Sequence, residues 1–298
     1  MRIVVNTPAG NIGRVVVERL LEAKHDVVVI SRHPEKVAAL TSNGATLVRG
    51  SIDEDAIVDR ALDGADALFW LTPIAFEPAD YMAWAKDIAH RAASAARRRG
   101  VGRAVVISSI GAQHDSGVGP ISCNPVIEKA FATAVPNVTF LRPGSFMENL
   151  LQHVGTIARG GTMYTRYPTS RKIPWIATRD IAASAFRALT DERGPGSRML
   201  ELQGPEDLDQ LQVASIVSEG IRRPVAAVEV TEEQAKQGMV GVGMPSVFAD
   251  LLLEMYAGLA SGRMQRTQAR SAATSTPTTL LTFARQVLKP AVDAALAQ

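Results

Sequence analysis

Short runs in which nearly every position is apolar alternate, through the first half of the chain, with longer stretches in which apolar residues recur every three or four positions. The runs "RIVVN" (2–6), "DVVVI" (26–30), "ATLVR" (45–49), "DALFWL" (66–71), "RAVVIS" (103–108) and "VTFLRP" (138–143) are short and rich in β-branched residues. Such runs predict strands buried on both faces of a sheet. The stretches between them predict helices. "NIGRVVVERLLEAK" sets Val15, Leu20 and Leu21 among polar positions, "HPEKVAALTS" opens with a proline suited to a first helical turn, and "DEDAIVDRALDG" begins with acids and closes on glycine. The longest, "EPADYMAWAKDIAHRAASAARRRG" (77–100), starts with acids, ends in arginines and stops at Gly100.

Strand and helix repeated in this order predict a parallel sheet wound by right-handed crossovers, a doubly wound α/β architecture of the Rossmann type. After about residue 143 the rhythm changes. "GGTMYTRYPTSRKIPWIATRD" (160–180) reads as loop-rich and aromatic, punctuated by Gly160, Gly161, Pro168 and Pro174. Helices resume at "DIAASAFRALTD" (180–191) and "LDQLQVASIVSEGI" (208–221), and a threonine-rich loop, "ATSTPTTL", precedes a last helix, "LLTFARQVLKPAVDAAL" (280–296). With no repeat or low-complexity block between the parts, the expectation is a nucleotide-binding domain over residues 1–150 and a smaller, mostly helical substrate region over residues 151–298, packed on it across the strand ends.

Composition narrows the partners. The 298 residues are 46% hydrophobic and 21% charged, ordinary for a globular chain, and the formal charge is only +2. Arg97, Arg98 and Arg99 form the one dense basic run and read as a solvated helix end, so no nucleic-acid partner is expected. The single cysteine, Cys123, excludes an internal disulfide framework, fits a reducing compartment and reads as inert packing. No run approaches the length of a membrane span or a signal peptide, which leads to the expectation of a cytoplasmic location with no membrane partner. The five histidines are scattered, and no metal site is expected.

In doubly wound sheets ligands bind beyond the carboxyl ends of the strands. Just after the first run, "NTPAGNIG" keeps Gly10 and Gly13 of a dinucleotide-binding turn but carries Thr7 where a first glycine would fall. Gly10 lets the backbone approach a pyrophosphate, Gly13 lets the helix pack closely, and the helix start supplies free N–H groups and a positive dipole. The Thr7 hydroxyl is itself a potential phosphate donor. After the second run, where an NAD-specific site carries an acid for the ribose hydroxyls, stand Ser31, Arg32 and His33, with Lys36 one turn on. A guanidinium there matches a 2′-phosphate, so NADPH is the expected cofactor; the alternative is an ordinary surface arginine.

These segments resemble the NmrA-like group of atypical short-chain dehydrogenases/reductases, which includes NAD(P)H-dependent quinone and dye reductases as well as redox-sensing regulators. The resemblance rests on "NTPAGNIGRVVVERLLEAKHDVVVISRHPEK", "GATLVRGSIDEDAIVDRALDGADALFWLTP", "GVGRAVVISSIGA" and "VTFLRPGSFMENLL" in family order, with weaker echoes in "IPWIATRDIA" and "LELQGPEDL". It implies that the turn Thr7, Pro8, Ala9, Gly10, Asn11 and Ile12 holds the pyrophosphate and that Arg32 meets the 2′-phosphate. It implies further that Leu71, Thr72 and Pro73 pass beside the nicotinamide ribose and that Pro143, Gly144, Ser145 and Phe146 lie near the nicotinamide, with Asn149 orienting that loop. Phe146 and Met147 are equally readable as hinge packing. Relatives often carry a Gly-Asp pair near the adenine; here the pair is Gly50 and Ser51.

The same resemblance is weakest at the chemistry. Ser109, next to Ser108, matches the serine that ends the fifth strand in relatives. Anchored on Glu128, the places of the usual tyrosine and lysine fall at Pro120 and Asn124, and the sequence contains no Tyr-x-x-x-Lys. Reduction of a carbonyl through that relay is therefore not expected. Hydride transfer to a quinone, a dye or a conjugated enone does not need it, with Ser109 steadying an oxyanion and His114 as a proton donor, or as a solvated loop residue. Tyr164, Tyr167 and Trp175 are candidates to line a pocket for a flat small-molecule substrate, or core. The apolar, methionine-bearing stretch "QGMVGVGMPSVFADLLLEMY" (237–256) reads equally as a cover for a hydrophobic ligand and as helix packing. Two classes stay open, a reductase of electron-poor acceptors and a non-catalytic NADP(H)-binding sensor of a partner protein, either one a possible homodimer.

Overall fold

The computed structural model describes residues 1–191 and 194–297. In chain order the first half contains β1 (Arg2–Val5), α1 (Asn11–Glu22), β2 (Asp26–Ser31), α2 (Ala38–Ser42), β3 (Thr46–Arg49), α3 (Asp55–Ala61), β4 (Ala67–Leu71), α4 (Tyr81–Arg98), β5 (Arg103–Ile107), α5 (Asn124–Ala134) and β6 (Asn137–Pro143). The second half contains β7 (Ser145–Phe146), α6 (Val154–Gly160), β8 (Thr162–Thr165), β9 (Ile173–Ile176), α7 (Thr178–Thr190), β10 (Gly196–Leu202) and β11 (Asp207–Leu208). It continues through α8 (Gln210–Ile221), β12 (Ala226–Glu229), α9 (Glu232–Gly241), α10 (Ser246–Ala260), α11 (Leu280–Phe283) and α12 (Lys289–Leu296).

The six apolar runs are the strands β1 to β6, joined by β10 into one seven-stranded sheet in the order β10-β6-β5-β4-β1-β2-β3. β1 lies parallel between β2 and β4, Val4 facing Val28 on one side and Leu68 on the other. Burial on both faces explains the unbroken hydrophobic runs: Ile3, Val4, Val5, Val27, Val28, Val29, Val105 and Val106 are all fully buried. Strand order reverses between β1 and β4, the topological switch point at which such sheets open a crevice. The arginine run at the end of α4 pairs with α3, Arg98 and Arg99 meeting Asp59 and Asp63.

Contacts divide the chain into two compact units. The first comprises Met1–Asp115, Cys123–Arg142 and Ile181–Leu200; the second comprises Ser116–Ser122, Pro143–Asp180 and the chain from Glu201 onward. The sequence sets one boundary at 150/151, whereas most of α7 and β10 return to the first unit. The reason is pairing: Gly196 N donates to Pro136 O, which starts β10 alongside β6. The second unit has its own core, in which Met147, Leu150, Ile157, Trp175, Val213, Val217, Phe283 and Val292 cluster.

Two local readings change. The stretch 160–180, read as loop, contains β8 and β9, which pair with β12 and with β7 and β11 respectively. Strands of four residues, with Pro168 between them and Pro174 inside β9, are too short to stand out by a period of two. The last helix is not one regular helix: a wider turn over Ala284–Leu288 separates α11 from α12, just before Pro290. No helix among the described residues is long and apolar enough to cross a membrane.

Candidate functional site

The carboxyl ends of β1 to β5 carry the residues that the sequence singles out in the first unit. After β1 the chain turns through Thr7–Gly10, closed by Gly10 N donating to Thr7 O at 3.2 Å, and enters α1. Gly13 is required by sterics: a Cβ there would stand 2.0 Å from Thr7 O. At Gly10 a Cβ would lie 3.6 Å from the same oxygen, an ordinary contact, so the fold alone does not demand glycine there. The helix α1 starts without a side-chain cap and without an acid in its first turn. Ala9, Gly10 and Asn11 are exposed and Ile12 is buried, so the uncapped N–H groups at the helix start open to solvent. Thr7 Oγ1 is buried without a hydrogen-bond partner. An uncapped helix start with an orphan hydroxyl beside it suits a phosphate group.

Asn6, which sequence reasoning passes over, holds the crevice open. Its buried side chain donates from Nδ2 to Leu71 O and accepts from Leu71 N, both at 2.9 Å. The amide thereby substitutes for the next rung of the β1–β4 ladder, letting β1 turn away while β4 runs on. Leu71, Thr72 and Pro73 are half-buried, and Thr72 Oγ1 accepts from Trp70 Nε1 at 3.0 Å.

At the end of β2, Ser31 Oγ accepts from His33 N at 3.1 Å and tightens the turn that displays Arg32. Arg32 and Lys36 are exposed, and neither is in an ion pair among the described residues, whereas His33 Nδ1 sits 3.2 Å from Glu35 Oε1. Gly50 N donates to Ser31 O at 3.1 Å, which brings the β3–α3 loop beside this turn. There Ser51 Oγ donates to Asp53 Oδ2 at 2.5 Å, and Trp84 Nε1 on α4 donates to Asp53 Oδ1 at 2.5 Å. Arg91 Nη1 reaches Asp53 O at 2.7 Å. Burial opposes the charge on Asp53, but the Ser51 and Trp84 hydrogen bonds and the charges of Arg91 and Arg32 outweigh it and hold the carboxyl below its ordinary range. Asp53 and Trp84 were not anticipated; the only trace in the sequence is an acid two positions after the expected one.

At the end of β5, Ser108 is buried and donates from Oγ to Glu128 Oε1 at 2.6 Å. Glu128 is in turn gripped by Arg142, Nε to Oε1 at 2.8 Å and Nη2 to Oε2 at 2.6 Å. The Ser108 hydroxyl is thus committed to a shielded ion pair, while half-buried Ser109 donates to Ile110 O at 3.0 Å. His114 lies further along, in the turns after β5, half-buried beside Gln113. Asn124 opens α5, with Pro120 in the short turn before it.

Pro143, Gly144, Ser145 and Phe146 belong to the second unit. Gly144 N donates to Leu202 O at 3.0 Å, and a Cβ on Gly144 would stand 2.5 Å from Pro174 O. Ser145 and Phe146 form β7 in register with Trp175 and Ile176. The neighbouring loop is tied by Glu148, whose carboxylate accepts from Thr178 N and, at 2.6 Å, from Thr178 Oγ1. Asn149 is exposed. Tyr167 and Trp175 are buried in the second unit's core, Tyr167 against Tyr256 and Trp175 donating to Leu208 O, while Tyr164 is exposed.

Strand order, the glycine turn at the switch point and the uncapped start of α1 define a Rossmann-type α/β protein with a phosphate-suited crevice in its first unit. The chain belongs to the NmrA-like family, whose model matches residues 1–263. It is 35% identical over 250 residues to the NAD(P)H azoreductase of Xenophilus azovorans, covering 83% of this chain and 84% of that protein. Its fold is that of the Citrobacter sp. triphenylmethane reductase complexed with NADP(H), at a TM-score of 0.80 and 20% identity over 99% of this chain and 100% of that one. It matches the NADPH-dependent quinone oxidoreductase QOR2 of Escherichia coli, complexed with NADPH, equally well, at a TM-score of 0.80 and 23% identity over 95% and 98% of the two chains.

Proposed function

We propose that the protein is an NADPH-dependent reductase that passes hydride to a small electron-poor organic acceptor such as an azo dye, a quinone or a conjugated enone. The observation that carries this reading is the pairing of an uncapped α1 start with an ion-pair-free Arg32 and Lys36 at the end of β2. The first suits a pyrophosphate and the second a 2′-phosphate. The names of the azoreductase and of the dye and quinone reductases support the same chemistry. Bound there, the reduced nicotinamide supplies the hydride.

The residues of the chain divide the remaining work. Thr7, Ala9, Gly10, Asn11 and Ile12 hold the diphosphate; Ser31, Arg32 and Lys36 surround the 2′-phosphate; Ser51 flanks the adenine side; Leu71, Thr72 and Pro73 border the ribose. Ser108 orients the end of β5 through Glu128 and Arg142 and has no proton to give an acceptor. Ser109, whose hydroxyl would have to turn from the adjacent carbonyl of Ile110 and not from an ion pair, is the one assigned to steady charge developing on the acceptor, with His114 as a candidate proton donor. With proline and asparagine at the places of the tyrosine and lysine, acceptors that become basic on reduction and can draw their proton from water fit best. Pro143, Gly144, Ser145 and Phe146 are assigned to the nicotinamide side by family resemblance.

Calorimetric titration with NADPH and NADH, followed by NADPH oxidation against azo dyes, quinones, enones and aldehydes, tests the proposal. Turnover with the first three classes and none with simple aldehydes is expected. Arg32→Ala should weaken NADPH about ten- to a hundredfold and leave NADH unchanged, since a charge-assisted bidentate contact contributes about 1.5–3 kcal/mol. Tight binding without turnover of any acceptor would overturn the enzyme in favour of a cofactor sensor.

A further inference from the structure

The cations at the end of β2 have an acid for a neighbour, and that acid is restrained. Gly50 N on Ser31 O brings the β3–α3 loop against the turn that displays Arg32, and Asp53 lies three residues beyond Gly50. An exposed arginine beside a carboxylate ordinarily closes into an ion pair. Here it does not: the carboxylate is held in another orientation, Oδ1 by Trp84 Nε1 and Oδ2 by Ser51 Oγ, each at 2.5 Å. Arg91 fixes the same residue by its backbone oxygen at 2.7 Å. Arg32 nevertheless contributes to the depressed acidity of Asp53, so the two charges feel each other through space. Asp53 is thus a negative charge that does not swing onto Arg32 and does not leave.

A dinucleotide with a 2′-phosphate and one without it differ by nearly two negative charges at this spot. The guanidinium attracts the extra phosphate and the held carboxylate repels it, while neither acts strongly on a bare ribose hydroxyl. We propose that Asp53, clamped by Trp84 and Ser51, is a selectivity-setting residue of the nucleotide site whose fixed charge opposes the 2′-phosphate that Arg32 and Lys36 attract and so narrows the preference for NADPH over NADH. The inference rests on the dinucleotide reading above.

Asp53→Asn is the clean test because the amide preserves the clamp: its Oδ1 accepts from Trp84 and its Nδ2 donates to Ser51 Oγ. Calorimetric titrations of the wild type and the variant with NADPH and with NADH give the readout without turnover. The variant is expected to bind NADPH about fivefold tighter at low ionic strength, a gain that shrinks below about twofold in 0.5 M salt, with NADH unchanged. Asp53→Ser, which removes the charge with a smaller side chain, should shift the ratio in the same direction, and a thermal melt of each variant confirms that it is folded. Equal weakening of both nucleotides would mean that Asp53 holds a group common to the two, and an unchanged ratio would mean that its charge does not reach the phosphate; either overturns the inference while leaving the dinucleotide reading intact. A wild type that binds neither nucleotide overturns that reading, and the inference with it.

Discussion

The two compact units hold their chain by different means. In the first, the polar backbone is used up by a ladder of parallel strands and the side chains are free to be apolar, as the fully buried valines of β1, β2 and β5 illustrate. In the second, the segment from Met264 to Thr279 has little regular structure and is held by carboxylates. Glu201, fully buried, accepts from Thr267 N at 2.7 Å, Thr267 Oγ1 at 2.9 Å and Gln268 N at 2.7 Å. Asp207 takes Arg266 and Arg270, and Asp180 takes Thr278 through N at 3.0 Å and Oγ1 at 2.9 Å. A ladder distributes stability over many equivalent bonds. A few buried acids concentrate it, so each has more donors depending on it.

The comparison breaks first where the ladder unit itself depends on one atom. Gly13→Ala should cost about 3 kcal/mol or more, because a Cβ 2.0 Å from Thr7 O is relieved only by moving backbone on one side or the other. Gly10→Ala, three residues earlier, meets that oxygen at 3.6 Å and should stay within about 1 kcal/mol of the wild type while losing dinucleotide affinity. Urea midpoints and nucleotide titrations on the pair separate fold from ligand. Equal stability losses at both positions would mean that the turn is not packed as described.

The same contrast explains how much could be read in advance. Six of the seven strands of the first unit's sheet, β1 to β6, were legible from their apolar runs, whereas β10, exposed at its start, was not, and the turn was legible because close approach leaves only glycine at position 13. The exposed place of Arg32 in the turn after β2 was legible from the strand before it. What stayed hidden is carried by side chains reaching across sequence: Asn6 to Leu71, Trp84 to Asp53, Glu128 to Arg142 and Glu201 to Thr267. Their partners lie from 14 to 66 residues away, and no local period encodes such a pairing. The short strands β8 and β9 were hidden for a related reason, since each is specified by its neighbour more than by its own four residues.

Glu201→Ala sharpens the comparison from the other side. It takes a fully buried acceptor from three donors at once, and a loss of about 3 kcal/mol is expected, with Glu201→Gln recovering part of it because the amide oxygen still accepts. Hydrogen exchange should show the amides of Thr267 and Gln268 opening in the alanine variant while those of β1 and β2 keep their protection. Loss of protection spread evenly over both units would show that the carboxylate supports the whole chain and not its own segment.

The smallest effect is silent at neutral pH. Burial pushes the Cys123 thiol up to about 11 from an ordinary value of 9.0, opposed by a backbone hydrogen bond and by the charge of Lys86, and burial likewise raises Tyr81 in the first unit and Tyr167 and Tyr256 in the second. For an acid raised in the folded state, the unfolded chain ionises first as pH climbs. The stability such a group carries is therefore complete below its unfolded value and drains away toward its folded one. For Cys123 that window runs from pH 9 to about 11. Tyr81 is raised further by its neighbour Cys123, so the two are linked inside the first unit. Urea midpoints should be flat from pH 7 to 9 and fall from 9 to 11, and Cys123→Ala should flatten the fall by removing both its own contribution and part of that of Tyr81. The second unit's tyrosines leave a residual slope above pH 10 in either protein. An identical slope with and without Cys123 would show that the thiol carries none of the alkaline loss, leaving it to the buried tyrosines of the two units.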